Sequence, residues 1–303
     1  MKKLLIVLLV SFILGVALIS YGAITGGISA FLLDGEGWHI ENIRGEDIGN
    51  IEDNILKSDE ITGLKEVDLG IGYADVEIAA EGDSYELYVS DTKNLRYKYD
   101  SITGRLEIKE RTKAIISIFN FWDHKRHVVL KVPKGTELKT LNIMLGSGCC
   151  AVEGIVADEA DIHIASGKAN TVDCAFDEAV IRVASGKAIF ENSKLGYADI
   201  DLASGKVEGS GLESESMKLR VASGKVDLRG TFIGKNRMEV LSGHLNMEID
   251  GNVRDYNRKV SIASGSVKVN GDSVGKSEYI SENAKNQLII KVLSGAAVIE
   301  FMK

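Results

Sequence analysis

Four lysines occupy one position of a strict spacing: Lys168, Lys187, Lys206 and Lys225, each 19 residues from the next. Ammonium groups set at a fixed interval suit the capture of a repeating anion, a chemistry of charge rather than of bond breaking. The same region carries Asp201, Glu208, Asp227 and Glu239. Carboxylate pairs are what a glycosidase uses for acid–base work, but these four fall at different outward positions of a variable pattern, as solvated side chains do. The three cysteines, Cys149, Cys150 and Cys174, form no Cys-x-x-Cys pair, and the odd count leaves at least one thiol free. Cys150 sits at an inward position, Cys149 points outward beside it, and His163 is the one candidate metal ligand near them. The histidines (His39, His124, His127, His163 and His244) are scattered. No His-Glu-x-x-His, Gly-x-Ser-x-Gly, phosphate-binding loop or dinucleotide fingerprint is present. No catalytic residue, metal or cofactor is expected.

What holds the lysines in line is the dipeptide before each of them. Ser147-Gly148, Ser166-Gly167, Ser185-Gly186, Ser204-Gly205, Ser223-Gly224 and Ser242-Gly243 recur every 19 residues, and Ser264-Gly265 and Ser294-Gly295 follow after 22 and 30. Four positions before each Ser stand Ile143, Ile162, Ile181, Ile200, Leu219, Met238, Val260 and Ile290; two before stand Leu145, Ile164, Val183, Leu202, Val221, Val240, Ile262 and Val292. The residues between vary freely, so this is a strand with one buried face. Alternation resumes three residues after Ser (Cys150, Ala169, Ala188, Val207, Val226, Leu245, Val267, Ala297), with a weaker inward position at five. Each unit reads as strand, Ser-Gly corner, strand and a turn back. Glycine fits a corner because it adopts positive φ and lets backbones approach closely.

A 19-residue unit is too short for a propeller blade and lacks helical-repeat signatures. It fits one coil of a solenoid, paired to the coils above and below. The expected fold is all-β: a single-stranded β-helix or β-solenoid with coils of about 19 residues, preceded by one N-terminal transmembrane helix. Eight coils at about 4.8 Å would rise on the order of 40 Å.

Four segments are expected. Residues 1–33 carry Lys2 and Lys3 and then no charge through Leu33, long enough to span a bilayer. The lysines favour a cytoplasmic start and export of the remainder of the chain; a cleaved signal peptide is the rival. Residues 34–63 are an acidic, Gly-punctuated tether. Residues 64–142 are β-rich, either an N-terminal part or a solenoid cap. Val67–Ile78 looks like a degenerate copy of the repeat, and Ser101–Gly104 like a hairpin turn. Within them Ala114–Trp122 is read as a buried strand, with an end cap or a loop toward lipid as alternatives. Residues 143–303 are the Ser-Gly solenoid. The net charge of −8 argues against nucleic acid as a partner.

The Val-Pro-Lys-Gly turn at Val132–Gly135, Leu141-Asn-Ile143, Gly146-Ser-Gly148 and the serial Ser-Gly strands behind an apolar N-terminus resemble the bacterial β-strand-repeat family of proposed adhesins, a domain of unknown function in envelope proteins. The resemblance covers residues 64–303 and implies a β-helical fold, extracytoplasmic exposure and a link to the cell envelope. It supplies no catalytic residue. The expectation is a non-enzymatic, single-pass membrane protein with its C-terminal domain outside, binding or scaffolding at the envelope and serving in the envelope-stress response. Its partners would be the membrane, through the N-terminal helix, and envelope polymers or another membrane protein. The lysine stripe would take a polyanion. The rivals are a β-helical carbohydrate-active enzyme and a self-polymerising scaffold.

Overall fold

The computed structural model describes residues 54–56, 61–90, 95–110, 126–275 and 277–302. The expected membrane span, most of the tether and Ala114–Trp122 lie outside the described residues. Among those described, no helix is long and apolar enough to cross a membrane.

The described strands join one sheet. In chain order they are β1 (Asn54–Leu56), β2 (Glu66–Ala80), β3 (Glu86–Val89), β4 (Leu95–Asp100), β5 (Arg105–Glu110), β6 (His127–Val132), β7 (Glu137–Glu153), β8 (Val156–Val172), β9 (Ala175–Glu191), β10 (Lys194–Asp250), β11 (Tyr256–Ile262), β12 (Ser266–Val269), β13 (Asp272–Ser273), β14 (Ser277–Ile280) and β15 (Asn286–Met302). The repeat pairs with itself in parallel, 19 residues out of step: Ile143, Ile162, Ile181 and Ile200 are successive partners, as are Ser147, Ser166, Ser185 and Ser204. Every apolar position therefore becomes a column. The columns four and two before Ser and three after it are almost wholly buried. A fully buried Leu or Ile contributes about 1.5–3 kcal/mol, and here only when the neighbouring coil covers it.

Each coil has three sides, where the repeat suggested two strands and a return. The Ser-Gly corner is the first break. The second is a residue in the left-handed region seven after Ser: Gly154 (φ 67), Asp173 (φ 53), Asn192 (φ 49) and Gly211 (φ 62). At the third, two consecutive residues face solvent, Asp158 and Glu159 between buried Ala157 and Ala160, then Asp177 and Glu178 between buried Phe176 and Ala179. Side chains compensate across levels in the core. Phe190 is fully buried, and Gly209, its partner in the next coil, is closely covered, so that a Cβ there would sit tightly against Leu228 at 3.0 Å and Leu212 at 3.3 Å.

The levels do not follow chain order at either end. A stack in chain order would set Ser264-Gly265 against Ser242-Gly243. Instead Ser242-Gly243 pairs with Ser294-Gly295, and β15 lies between β10 and the pair β11 and β12. The chain thus skips a level, builds the outermost one, and returns to fill the gap. Its return path, Asn270–Lys285, contributes β13 and β14, antiparallel to β12 and β11. The other end mirrors this. β2, with Tyr73-Ala74 in the Ser-Gly register, pairs with β7 on one side and with β5 and β6 on the other. Beyond these lie antiparallel β4 and β3, and β1 pairs with β3. The hairpin turn expected at Ser101–Gly104 joins β4 to β5, with Gly104 at φ 71 and the Asp100 carboxylate accepting from Ile102 N at 2.9 Å.

Candidate functional site

The Ser-Gly corner divides two solvent-facing sides, and its geometry fixes what each displays. Gly186 has φ 137, and a Cβ there would meet the Gly167 carbonyl oxygen at 2.0 Å; Gly205 and Gly224 stand in the same relation to the glycine one level back. Adjacent levels therefore touch backbone to backbone at this corner. The side chains flanking it are forced into straight files.

On the side after the corner, Lys168, Lys187 and Lys206 are direct cross-level partners, and Lys225 continues the file one repeat on. The structure brings the predicted four together. It also sets two of the carboxylates among them. Lys187 pairs with Glu208 at 2.7 Å, and Lys206 pairs with Glu208 and, at 3.5 Å, with Asp227. Lys225 reaches Asp227 at 2.9 Å. Lys187, and then Lys206, hold the Glu208 carboxyl below its ordinary range, and Glu208 in turn raises Lys206. Lys168 has Asn170 rather than an acid two residues on, and no ion pair among the described residues. Four cations against two carboxylates leave the file positive, most openly at Lys168.

The side before the corner carries a ladder that was not singled out from sequence. His163 lies 2.6 Å from Asp161 and 2.7 Å from Arg182. Arg182 approaches Asp161 at 3.8 Å and Asp201 at 3.7 Å, and Asp201 also pairs with Arg220. Arg220 meets Asp199 at 3.1 Å, which takes Lys218 at 3.2 Å. Further along, Glu239 pairs with Arg237 and, at 3.4 Å, with Lys291 of β15. Asp201, the first cause, raises the Arg220 guanidinium further, and Arg237 lowers Glu239. The signal was present in the aligned repeats. The position three before Ser reads His163, Arg182, Asp201, Arg220 and Glu239 in successive repeats, alternating in sign from Arg182 onward, and Lys291 of β15 is the cross-level partner of Glu239.

The four carboxylates weighed as acid–base candidates thus occupy two files on opposite sides of the corner, each one ion-paired. For Glu208 and Glu239 the paired cations lower the carboxyl below its ordinary range. Cys149 is exposed, whereas Cys150 and Cys174 are buried. Burial pushes the Cys150 thiol up to about 12 and Cys174 to about 11. Cys174 Sγ donates to the carbonyls of Val152 and Val172 at 3.4 and 3.3 Å, the behaviour of a core thiol. Among the described residues no three His, Cys, Asp or Glu side chains are grouped to hold a metal.

Parallel levels, glycine-stacked corners and charged outer files define an all-β, solenoid-like protein. Its family follows from the sequence: the Toastrack DUF4097 family matches residues 64–299, and the chain belongs to it. No curated protein matches the chain. Among solved structures it is similar to a proposed adhesin from Bacteroides fragilis (10% identity, 84% of this chain and 98% of that one, TM-score 0.47). It is also similar to a proposed lipid-binding protein from Parabacteroides distasonis (15% identity, 84% and 98%, TM-score 0.44). A proposed cell adhesion protein from Clostridium sporogenes is a third (14% identity, 83% and 98%, TM-score 0.29).

Proposed function

We propose that the chain is a membrane-tethered, extracytoplasmic solenoid that acts without catalysis as an adhesin-like binding or scaffolding module of the bacterial envelope, and that Lys168, Lys187, Lys206 and Lys225 are its contact for a polyanion. The observation that carries this is register. Identical side chains repeat along a straight file at about 4.8 Å per level, a display suited to a polymer with serial charges rather than to a small molecule in a pocket. Neighbouring ammonium groups at that spacing repel by roughly 0.9 kcal/mol even at water's dielectric, and Glu208 and Asp227 offset part of it. The rival of end-to-end polymerisation is disfavoured by the end strands: β4 exposes Arg96 and Lys98, and charges on an edge strand discourage further pairing.

Binding of the purified chain to an anionic polymer such as polyphosphate, measured across a salt series, tests the contact. Changing all four lysines to Gln should weaken binding and flatten its salt dependence while the β signature stays intact. If that variant binds as the parent does, the file is only surface. Placement is tested separately. Protease added to spheroplasts should remove the region after residue 34 and spare cytosolic markers; full protection of that region in accessible cells would overturn the outside assignment.

A further inference from the structure

We infer that His244 is a fifth, proton-dependent position of the lysine file, so that the polyanion contact lengthens by one charge and tightens as pH falls. This rests on the polyanion reading above and adds to it a further contact residue and a pH control.

The placement follows from the corner. Gly243 stacks on Gly224, where an added Cβ would meet the Gly224 carbonyl oxygen at 2.3 Å. The residues that follow these glycines, His244 and Lys225, therefore stand side by side on adjacent levels, as Lys206 and Lys187 do. The file reads Lys168, Lys187, Lys206, Lys225 and His244. It ends there, because the next cross-level partner of His244 is Ala296. Four steps of about 4.8 Å make it about 19 Å long.

The two ends of this file are alike, and the middle differs. Glu208 and Asp227 stand two residues beyond Lys206 and Lys225, and between them they pair with the three inner lysines. Two residues beyond Lys168 is Asn170, and two beyond His244 is Asn246. An amide leaves the charge of a neighbouring cation in place. Among the described residues neither Lys168 nor His244 has an ion pair, and His244 is exposed. A protonated His244 would therefore present its whole charge to a ligand.

The charged groups around His244 are already matched or lie further off. Lys225 and Asp227, one level back, pair with each other at 2.9 Å, and Arg229 pairs with Glu248 at 3.7 Å. On the β15 side Ala296 and Val298 are uncharged, Glu300 lies opposite Glu248, and Lys268 of β12 lies beyond Val298. The other described histidines do not extend the file. His127 has the same place in its own level, but its partner is Asp75, whose partner in turn is Cys149. His163 lies on the other side of the corner, between Asp161 and Arg182.

Imidazole is the side chain that changes its charge between about pH 8 and pH 5, and an anion bound against it favours the charged form. Binding and protonation are then linked. Binding of the polymer takes up a proton at His244, and affinity rises as pH falls. Glu208 does not contribute to this trend, because Lys187 and Lys206 hold its carboxyl below the ordinary carboxylate range.

The test measures binding of the purified full chain to long-chain polyphosphate at pH 8 and pH 5.5 and fixed ionic strength, for the parent, His244→Gln and His244→Lys. All three should share one circular dichroism spectrum, since His244 is exposed. The parent should bind about fivefold more tightly at pH 5.5, the gain that one added cation gives near an anionic surface. Its salt slope should steepen there by about one counterion. His244→Gln should keep the parent's pH 8 affinity at both values, and His244→Lys should bind tightly at both. Calorimetry at pH 6.5 in two buffers of different ionisation enthalpy should show proton uptake by the parent and none by His244→Gln. Equal affinity of the parent at the two pH values, or a pH dependence and proton uptake retained in His244→Gln, overturns the inference. No binding at either pH, or binding that survives the change of all four lysines to Gln, would instead defeat the polyanion reading, a distinct result that removes this inference with it.

Discussion

Gly186→Val probes the feature that sets every outer file, the backbone contact at the Ser-Gly corner. A Cβ at Gly186 would lie 2.0 Å from the Gly167 carbonyl oxygen and 2.9 Å from its nitrogen, where ordinary contact begins near 3.4 Å. The two levels would have to part by more than 1 Å at this point, stretching the ladder bonds on both sides. Position 186 also has φ 137, where a β-branched residue is strained by about 1–3 kcal/mol, and overpacking adds about 1–3 kcal/mol. The expected loss is about 4 kcal/mol. Gly135→Ala supplies the control, since Gly135 has φ 79 but an added methyl there would find nothing within 4 Å. Only the backbone term remains there, about 1 kcal/mol. Urea unfolding followed by circular dichroism reads both variants, and hydrogen exchange locates the loss. Because each coil contacts only its neighbours, exchange should quicken first in the levels containing Gly167, Gly186 and Gly205. Equal midpoints for the two variants would refute the stacked-corner geometry.

Other consequences are quicker to check. Cys149 alone should react with a thiol reagent in the folded chain, with Cys150 and Cys174 becoming reactive only on unfolding. Because burial raises the Cys150 thiol from 9.0 to about 12, its folded value lies above its unfolded one. The associated stability is present below pH 9 and is lost as pH rises from there toward 12; Cys150→Ala should flatten that alkaline decline in urea midpoints. Arg182→Ala should cost no more than about 1 kcal/mol, since its pairs are part-exposed, while Arg182→Glu, set among Asp161 and Asp201, should cost more than the alanine variant. Glu208→Gln should tighten polyphosphate binding by freeing Lys187 and Lys206; unchanged affinity would detach those lysines from the contact.

The corner and the inward columns were legible because each repeats one residue type at one interval: Ser-Gly, then Ile or Leu, then a small apolar residue. The second corner was not, although its φ values are nearly constant. Gly154, Asp173, Asn192 and Gly211 share a conformation but not an identity, since glycine, Asn and Asp all tolerate it. The third corner hides for another reason: Asp158-Glu159 and Asp177-Glu178 break the alternation without a glycine or proline to mark it. The lysine file could be placed from spacing alone, yet which lysines Glu208 and Asp227 each pair with depends on reach between levels. The place of β15 was hidden too. A coil pattern states which face of a strand is buried and not which coil it lies against, and Ser294-Gly295 fits either neighbour equally well.

That level order is the foundation on which the charged files depend, and a pair of cross-links tests it. Leu241 and Leu293 are exposed and lie between the paired positions Val240 with Val292 and Ser242 with Ser294. Neighbouring strands place their Cα atoms about 4.8 Å apart, inside the roughly 4.4–6.8 Å that a disulfide spans. In a Cys149→Ser background, Leu241→Cys with Leu293→Cys should therefore oxidise to an intramolecular disulfide, whereas Leu241→Cys with Ala263→Cys, one level further apart, should stay reduced. Efficient linkage of 241 to 263 with none between 241 and 293 would contradict the stack.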